Sequence, residues 1–148
     1  MEDIRAMLQV TMRRFGMLNK NCCTVDCLDI SMVQSHILYE IARKNLPSMQ
    51  EVADTIGMDI TTFSRQIQTL KKMELVERNQ SAEDKRVYHL SLTAKGKQVE
   101  EGINDQMKHY LENVFSHLNE KEQNEVIKSL QILNAAMGKS NMCCKPFS

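Results

Sequence analysis

Apolar residues recur at helical spacing from the start of the chain. Ile4, Met7, Leu8, Thr11, Phe15 and Leu18 fall on one face of a helix predicted over residues 3–20, with Arg5, Arg13 and Arg14 off that stripe. Residues 19–30, NKNCCTVDCLDI, break the pattern. Ser31 opens a second helix. Gln34 follows at the spacing of a capping box, in which each side chain satisfies the other residue's free backbone donor. Val33, Ile37, Leu38 and Ile41 are its expected buried face. The helix ends before Pro47, which pushes Leu46 away from the helical region.

Ser48 and Glu51 repeat the capping spacing, and Val52, Ala53 and Ile56 point inward from a third helix. Gly57 stops it, since glycine takes the left-handed cap position without a Cβ clash. Asp59 caps a fourth helix that runs to about Met73. Ile60, Phe63, Ile67 and Leu70 define its buried side, and Thr61, Arg65, Gln68, Thr69 and Lys72 fall opposite. Leu75–Arg78 and Arg86–Leu92 read as strands joined by the polar stretch Asn79–Lys85, an antiparallel hairpin. Two helices across a short Gly-bearing turn, followed by a charged hairpin, make a winged helix-turn-helix. Thr93–Lys97 opens a long helix striped by Val99, Ile103, Met107, Tyr110, Leu111, Val114 and Leu118. Asn119, with Glu122 as a weaker cap partner, opens a last helix lined by Val126, Ile127, Leu130, Leu133 and Met137, ending at Gly138. The tail KSNMCCKPFS reads as irregular.

The chain has 148 residues, 42% hydrophobic and 26% charged, which fits one globular unit with a core. Its eleven Met suit an adaptable core or pocket lining. Formal net charge is zero, which excludes a uniformly basic nucleic-acid binder. The charge is unevenly placed, however. Asp59–Lys97 holds eight Lys/Arg against five Asp/Glu, a net of +3, whereas Gln98–Gly138 holds three Lys against seven Asp/Glu, a net of −4. A basic middle points to a local anionic partner. No apolar run approaches the ~18 residues needed to cross a bilayer. Glu2, Asp3 and Arg5 do not begin a signal peptide, so a cytoplasmic protein without a membrane partner is expected.

The polar face of the fourth helix carries the groups that read DNA. Arg pairs with guanine and Gln with adenine at base edges, while Lys meets phosphate. The competing reading is an ordinary solvated face; the helix-turn-helix spacing and the hairpin favour DNA. In the hairpin, Lys85 and Arg86 are candidates for a phosphate or minor-groove contact, with Asp84 as the group that orients the neighbouring Arg. The competing reading is a charged tip that deters edge aggregation. Cys22, Cys23, Cys27, Cys143 and Cys144 are candidates for a thiol-oxidation sensor or a soft metal site. Cys23 and Cys27 could share an ion on a helical turn. Small buried hydrophobes or incidental tail residues are the alternative. No cofactor is required. His36, His89, His109 and His117 are scattered and read as structural or exposed.

Five segments carry a family resemblance: Gln50–Ala53 (QEVA), Thr62–Ile67 (TFSRQI), Leu70–Arg78 (LKKMELVER), Asp84–Arg86 (DKR) and Leu90–Gly96 (LSLTAKG). Together they resemble the MarR family of bacterial winged helix-turn-helix transcriptional regulators. The wing Asp-x-Arg and the Leu-Thr-x-x-Gly after it are the most specific, and the likeness covers roughly residues 1–138. It implies a mainly α fold with a small antiparallel β-hairpin wing and a helical dimerisation domain. On that reading residues 1–30 and 98–138 are the dimerisation part, 31–97 the DNA-binding part and 139–148 a Cys-containing tail.

The resemblance further implies a homodimer on double-stranded pseudo-palindromic DNA, with half-sites about one helical turn, roughly 34 Å, apart. Thr61, Thr62, Arg65 and Gln68 would face bases, Lys72 phosphate, and Arg86 a minor groove. A repressor released by a small-molecule, metal or thiol-oxidation signal is the expected function, and family effectors are commonly small aromatic or phenolic compounds. Gly is usual in the family where Met73 stands. Two rivals remain: a protein-interaction module of the same fold without DNA binding, and an enzyme with a Cys nucleophile. The enzyme reading lacks a phosphate loop, a paired-carboxylate motif or a nucleophile signature.

Overall fold

A computed structural model describes residues 3–19 and 22–140. The chain divides into two compact units, Met1–Asn104 and Asp105–Ser148. In the first, α1 (Ile4–Phe15) is capped by the Asp3 carboxylate, which accepts from the Ala6 N–H. It ends earlier than its apolar stripe predicts because Gly16 turns left-handed at φ 92° and donates to the Met12 and Arg13 carbonyls. None of its residues is buried, so Ile4, Met7, Leu8, Met12 and Phe15 stand exposed.

Where the helical pattern breaks, the chain forms a hairpin that periodicity does not predict, β1 (Cys23–Val25) and β2 (Leu28–Ile30). Its two turn residues, Asp26 and Cys27, have φ of 50° and 65°, the paired positive values of a type I′ turn. Cys23 and Cys27 therefore do not share a helical turn: Cys23 pairs with Ile30 on the strand and Cys27 sits at the tip. Val25 and Ile30 reach the core, and a Cβ at Gly102 would come within 2.6 Å of a Val25 methyl.

α2 (Met32–Arg43) begins with the complete Ser31–Gln34 capping box. α3 (Met49–Ile56) is capped by Ser48 and closed by Gly57 at φ 82°, and α4 (Ile60–Lys72) by Asp59. The core gathers Ile37, Leu38 and Ile41 from α2, Val52 and Ala53 from α3, and Phe63, Ile67 and Leu70 from α4. Each of these side chains larger than Ala53 contributes about 1.5–3 kcal/mol on burial. Val33 and Ile60, expected inside, are exposed because each sits in its helix's first turn, beyond the end of the core.

β3 (Val76–Gln80) and β4 (Tyr88–Leu92) pair antiparallel from Val76↔Leu92 to Gln80↔Tyr88. The Pro47–Ser48 segment runs beside β4, where the Leu90 N–H donates to the Pro47 carbonyl at 2.8 Å. The turn into the wing is left-handed at Glu74 (φ 62°), not at Met73 (φ −76°), so the Gly-favouring geometry expected at Met73 falls one residue later.

α5 (Ala94–Ser116) starts against that turn. The Thr93 hydroxyl donates to the Glu74 carbonyl at 2.6 Å and accepts the Gly96 N–H at 2.9 Å, so one side chain ties the corner and caps the helix. Gly96 lies so near the Leu75 carbonyl oxygen that a Cβ there would overlap it, which gives the Leu-Thr-x-x-Gly motif a physical reason.

The second unit holds the rest of α5 and α6 (Glu120–Lys139). Asn119 and Glu122 form a full reciprocal capping box, stronger than the sequence suggests. The Gln123 amide donates to the Phe115 and Leu118 carbonyls and closes the end of α5. α6 runs through Gly138 rather than stopping there, and Val126, Ile127, Leu130, Leu133 and Met137 are exposed. Among the described residues no helix is long and apolar enough to cross a membrane.

Candidate nucleic-acid interface

The buried stripe of α4 fixes what faces outward. With Phe63, Ile67 and Leu70 in the core, Thr61, Arg65, Gln68 and Lys72 are exposed on the opposite side. Thr62 differs from them. It is half-buried, its N–H donates to Asp59 Oδ1 at 3.0 Å and its hydroxyl to Asp59 Oδ2 at 2.7 Å. These bonds, the backbone one first, hold the Asp59 carboxyl below its usual range. Thr62 is thus chiefly a partner of the helix cap. The cap keeps the first turn of α4 regular, which is what aligns Thr61 with Arg65.

The wing tip is built by backbone and side-chain bonds together. The Ser81 hydroxyl accepts the N–H groups of Glu83 and Asp84, and the Ser81 N–H donates to the Val87 carbonyl at 2.8 Å. Asp84 accepts from Arg86 three times, from the backbone N–H at 3.0 Å, Nε at 3.2 Å and Nη2 at 3.3 Å. The guanidinium, first by its side-chain bonds and then with the backbone N–H, holds the Asp84 carboxyl below its usual range. Arg86 and Lys85 are otherwise exposed, and Arg86 and Val87 leave the strand because the chain is still turning around Asp84.

Sequence reasoning missed Arg78. Its guanidinium lies 4.4 Å from the centroid of the Tyr88 ring, a diagonal neighbour across the hairpin. Its Nε is buried and has no hydrogen-bond partner among the described residues. It lines a groove of about 280 Å³ with Gln50 at the start of α3, Ile60 at the start of α4, and Arg86 of the wing. This groove brings both helices and the wing to one place. An Arg two residues from a strand end, with an aromatic at the diagonal position, is a signal visible only once the register is known.

The family model described as MarR family matches residues 30–88. Residues 30–88 thus match the MarR family. The uncharacterized HTH-type transcriptional regulator YfiV of Bacillus subtilis (strain 168) is 26% identical over 110 residues, 74% of this chain and 69% of its own length. Streptococcus pneumoniae FabT, solved in complex with DNA, superposes with a TM-score of 0.81 at 22% identity over 91% of this chain and 95% of that one. A MarR/EmrR family transcriptional regulator from Acinetobacter sp. ADP1 gives 0.71 at 23% identity over 92% and 96%. The fold is the winged helix of MarR-family regulators.

All five cysteines lie outside the matched residues 30–88. Cys22 and Cys23 are joined through their sulfurs, Cys27 is free and exposed, and Cys143 and Cys144 lie outside the described residues. Among the described residues no group of three or more His, Cys, Asp or Glu could hold a metal ion. His89 Nδ1 is 2.9 Å from the Leu46 carbonyl and His109 Nδ1 is 2.7 Å from that of Asp105, so both rings are engaged in structure. His36 and His117 are exposed.

Proposed function

We propose that this chain is a sequence-specific double-stranded DNA-binding transcriptional regulator, a repressor released by a small-molecule, metal or thiol-oxidation signal. The observation that carries this reading is the exposed Thr61–Arg65–Gln68–Lys72 face of α4, set by the α3–α4 turn and followed by a wing whose Arg86 is held by Asp84. α4 enters the major groove, where Arg65 and Gln68 have the donors and acceptors to form paired hydrogen bonds with base edges and Lys72 meets phosphate. Arg86, with Lys85, reaches a minor groove, whose negative potential attracts it. FabT, which shares the fold, was solved in complex with DNA, and this supports the same use here.

The protein acts as a homodimer. The apolar stripes of α1 and α6 are each left exposed in the single chain, and exposed apolar surface of that extent marks an interaction face. A two-fold dimer reads a pseudo-palindrome. Selection of bound duplexes from a random pool, repeated with reduced, oxidised and metal-loaded protein, tests the reading. Enrichment of a palindromic site with strongly salt-dependent affinity is expected. Failure to enrich any site under all three conditions overturns it in favour of a protein-interaction module of the same fold.

A further inference from the structure

The inward face of the wing is apolar where it meets the core and changes character where it leaves it. Val76, Leu90 and Leu92 share that face, and Val76 and Leu90 are buried. Two residues further along each strand the same face carries Arg78 and Tyr88, both half-buried. The Tyr88 ring holds the Arg78 guanidinium at 4.4 Å from its centroid. Nε is closed off, so the donors that Arg78 offers to a partner are those of Nη1 and Nη2.

The groove that Arg78 lines is cationic. Arg86 is its second cation, and no Asp or Glu lines it. Arg86 has Asp84 as its partner, whereas Arg78 makes no ion pair or hydrogen bond among the described residues. Two like charges along one groove repel, and an anion between them turns that repulsion into attraction. Ser48, Met49 and Gln50 bring the start of α3 to the same groove. There the Ser48 hydroxyl accepts the Glu51 N–H and the Ser48 carbonyl accepts that of Val52, which leaves the N–H groups of Met49 and Gln50 without an acceptor in the helix. Leading N–H groups of a helix favour negative charge, as the two arginines do.

We infer that this groove takes one backbone phosphate of duplex DNA, that Arg78 is the residue that grips it, and that Tyr88 positions Arg78. The inference rests on the function proposed above and adds a contact to it. Ile60 at the start of α4 also lines the groove. The phosphate therefore lies between the major groove that α4 enters and the minor groove that the wing meets. Nη1 and Nη2 form the fork that matches two phosphate oxygens side by side. The Tyr88 ring restricts the guanidinium before DNA arrives, so less freedom is lost on contact. Nothing in the groove selects a base: its donors converge on a charge that every nucleotide carries, which fixes the register of the protein on the duplex.

Fluorescence-anisotropy titrations of the full chain on its selected duplex and on a scrambled one, at several salt concentrations, test the contact. Arg78→Gln is expected to weaken both duplexes about tenfold, the loss typical of a hydrogen bond to a charged group. It should also lower the salt slope by about 1 for each protomer bound. Arg78→Lys, which keeps the charge and the apolar stem, should hold the slope at the parent's value. Tyr88→Leu should weaken both duplexes about two- to fivefold, the worth of an exposed cation–ring contact, and add nothing in the Arg78→Gln background. Tyr88→Phe, which keeps the ring, should restore the parent's affinity.

A scan of the duplex locates the phosphate. Neutral methylphosphonate, placed at one position at a time, should reveal one position in each half-site where the parent weakens about tenfold and Arg78→Gln does not weaken further. Parent-like affinity and slope in Arg78→Gln, a loss confined to the selected duplex, or a scan with no such position overturns the proposal and leaves DNA binding itself in place. Additive losses for Arg78→Gln and Tyr88→Leu overturn the positioning role of Tyr88. A parent that binds neither duplex at any salt concentration overturns the proposed function, and this contact with it.

Discussion

Asp84 holds Arg86 at two points, Oδ1 to Nε at 3.2 Å and Oδ2 to Nη2 at 3.3 Å, while the guanidinium keeps its outer side in solvent. The pair lies at the surface, so it aims the arginine more than it stabilises the fold. Asp84→Ala should leave the melting temperature unchanged and weaken DNA binding on the order of tenfold, close to the effect of Arg86→Ala. A gel shift in which Asp84→Ala binds as tightly as the parent would remove the orienting role. The Asp84 carboxyl sits below its ordinary value, so its contribution is complete above the usual carboxylate range and is lost as pH falls through the lowered value. The pair is intact at neutral pH.

Arg65 and Lys72 share the outward face of α4 but differ in chemistry. Arg65→Ala should cost about 1–3 kcal/mol on the selected site and relax base choice at one position. Lys72→Ala should weaken all duplexes alike and lower the salt slope by about 1. Binding isotherms on the selected site and a scrambled duplex, each at several salt concentrations, separate the two. A uniform loss for Arg65→Ala would move it from base reading to phosphate binding.

Glu74 occupies a left-handed backbone position at φ 62°. A residue with a Cβ costs about 1–2 kcal/mol there, which glycine avoids while giving back part in unfolded-chain entropy. Glu74→Gly should therefore stabilise the protein by about 0.5–1 kcal/mol, read as a higher urea midpoint with an unchanged slope. A lower midpoint would show that the side chain contributes more than its backbone costs.

Two glycines on helices should respond oppositely to the same change. At Gly96 a methyl group meets the Leu75 carbonyl oxygen, a backbone atom that cannot swing aside, so Gly96→Ala should cost about 1–3 kcal/mol. At Gly138 a Cβ has nothing within 4 Å among the described residues, and Gly138→Ala should stabilise α6 by up to about 1 kcal/mol. Thermal melts of both variants decide, and the same sign for both would refute the distinction.

What the sequence disclosed follows from the range of each signal. Caps are local, so Ser31, Ser48, Asp59 and Asn119 were legible and each accepts the expected backbone N–H. The polar face of α4 was legible because Phe63, Ile67 and Leu70 fix its rotation. The β1–β2 hairpin was not, since three residues per strand are too few to show alternation and Asp26–Cys27 replaces the usual glycine-bearing turn. The left-handed backbone of Glu74 was not legible either, because sequence spacing does not locate a backbone angle to one residue. Arg78 was missed because a buried atom without a partner is defined only by its distant neighbours.

The Ser81 hydroxyl, by accepting two backbone N–H groups at the wing tip, leaves that loop little freedom to lose. With the Gln80 amide bonded to the Lys85 carbonyl at 2.6 Å, the tip is folded before any partner arrives. Ordering a floppy loop at an interface subtracts from affinity. A tip that is already closed avoids that subtraction, so on the proposed function Arg86 would meet DNA as part of a rigid tooth rather than at the end of a tether.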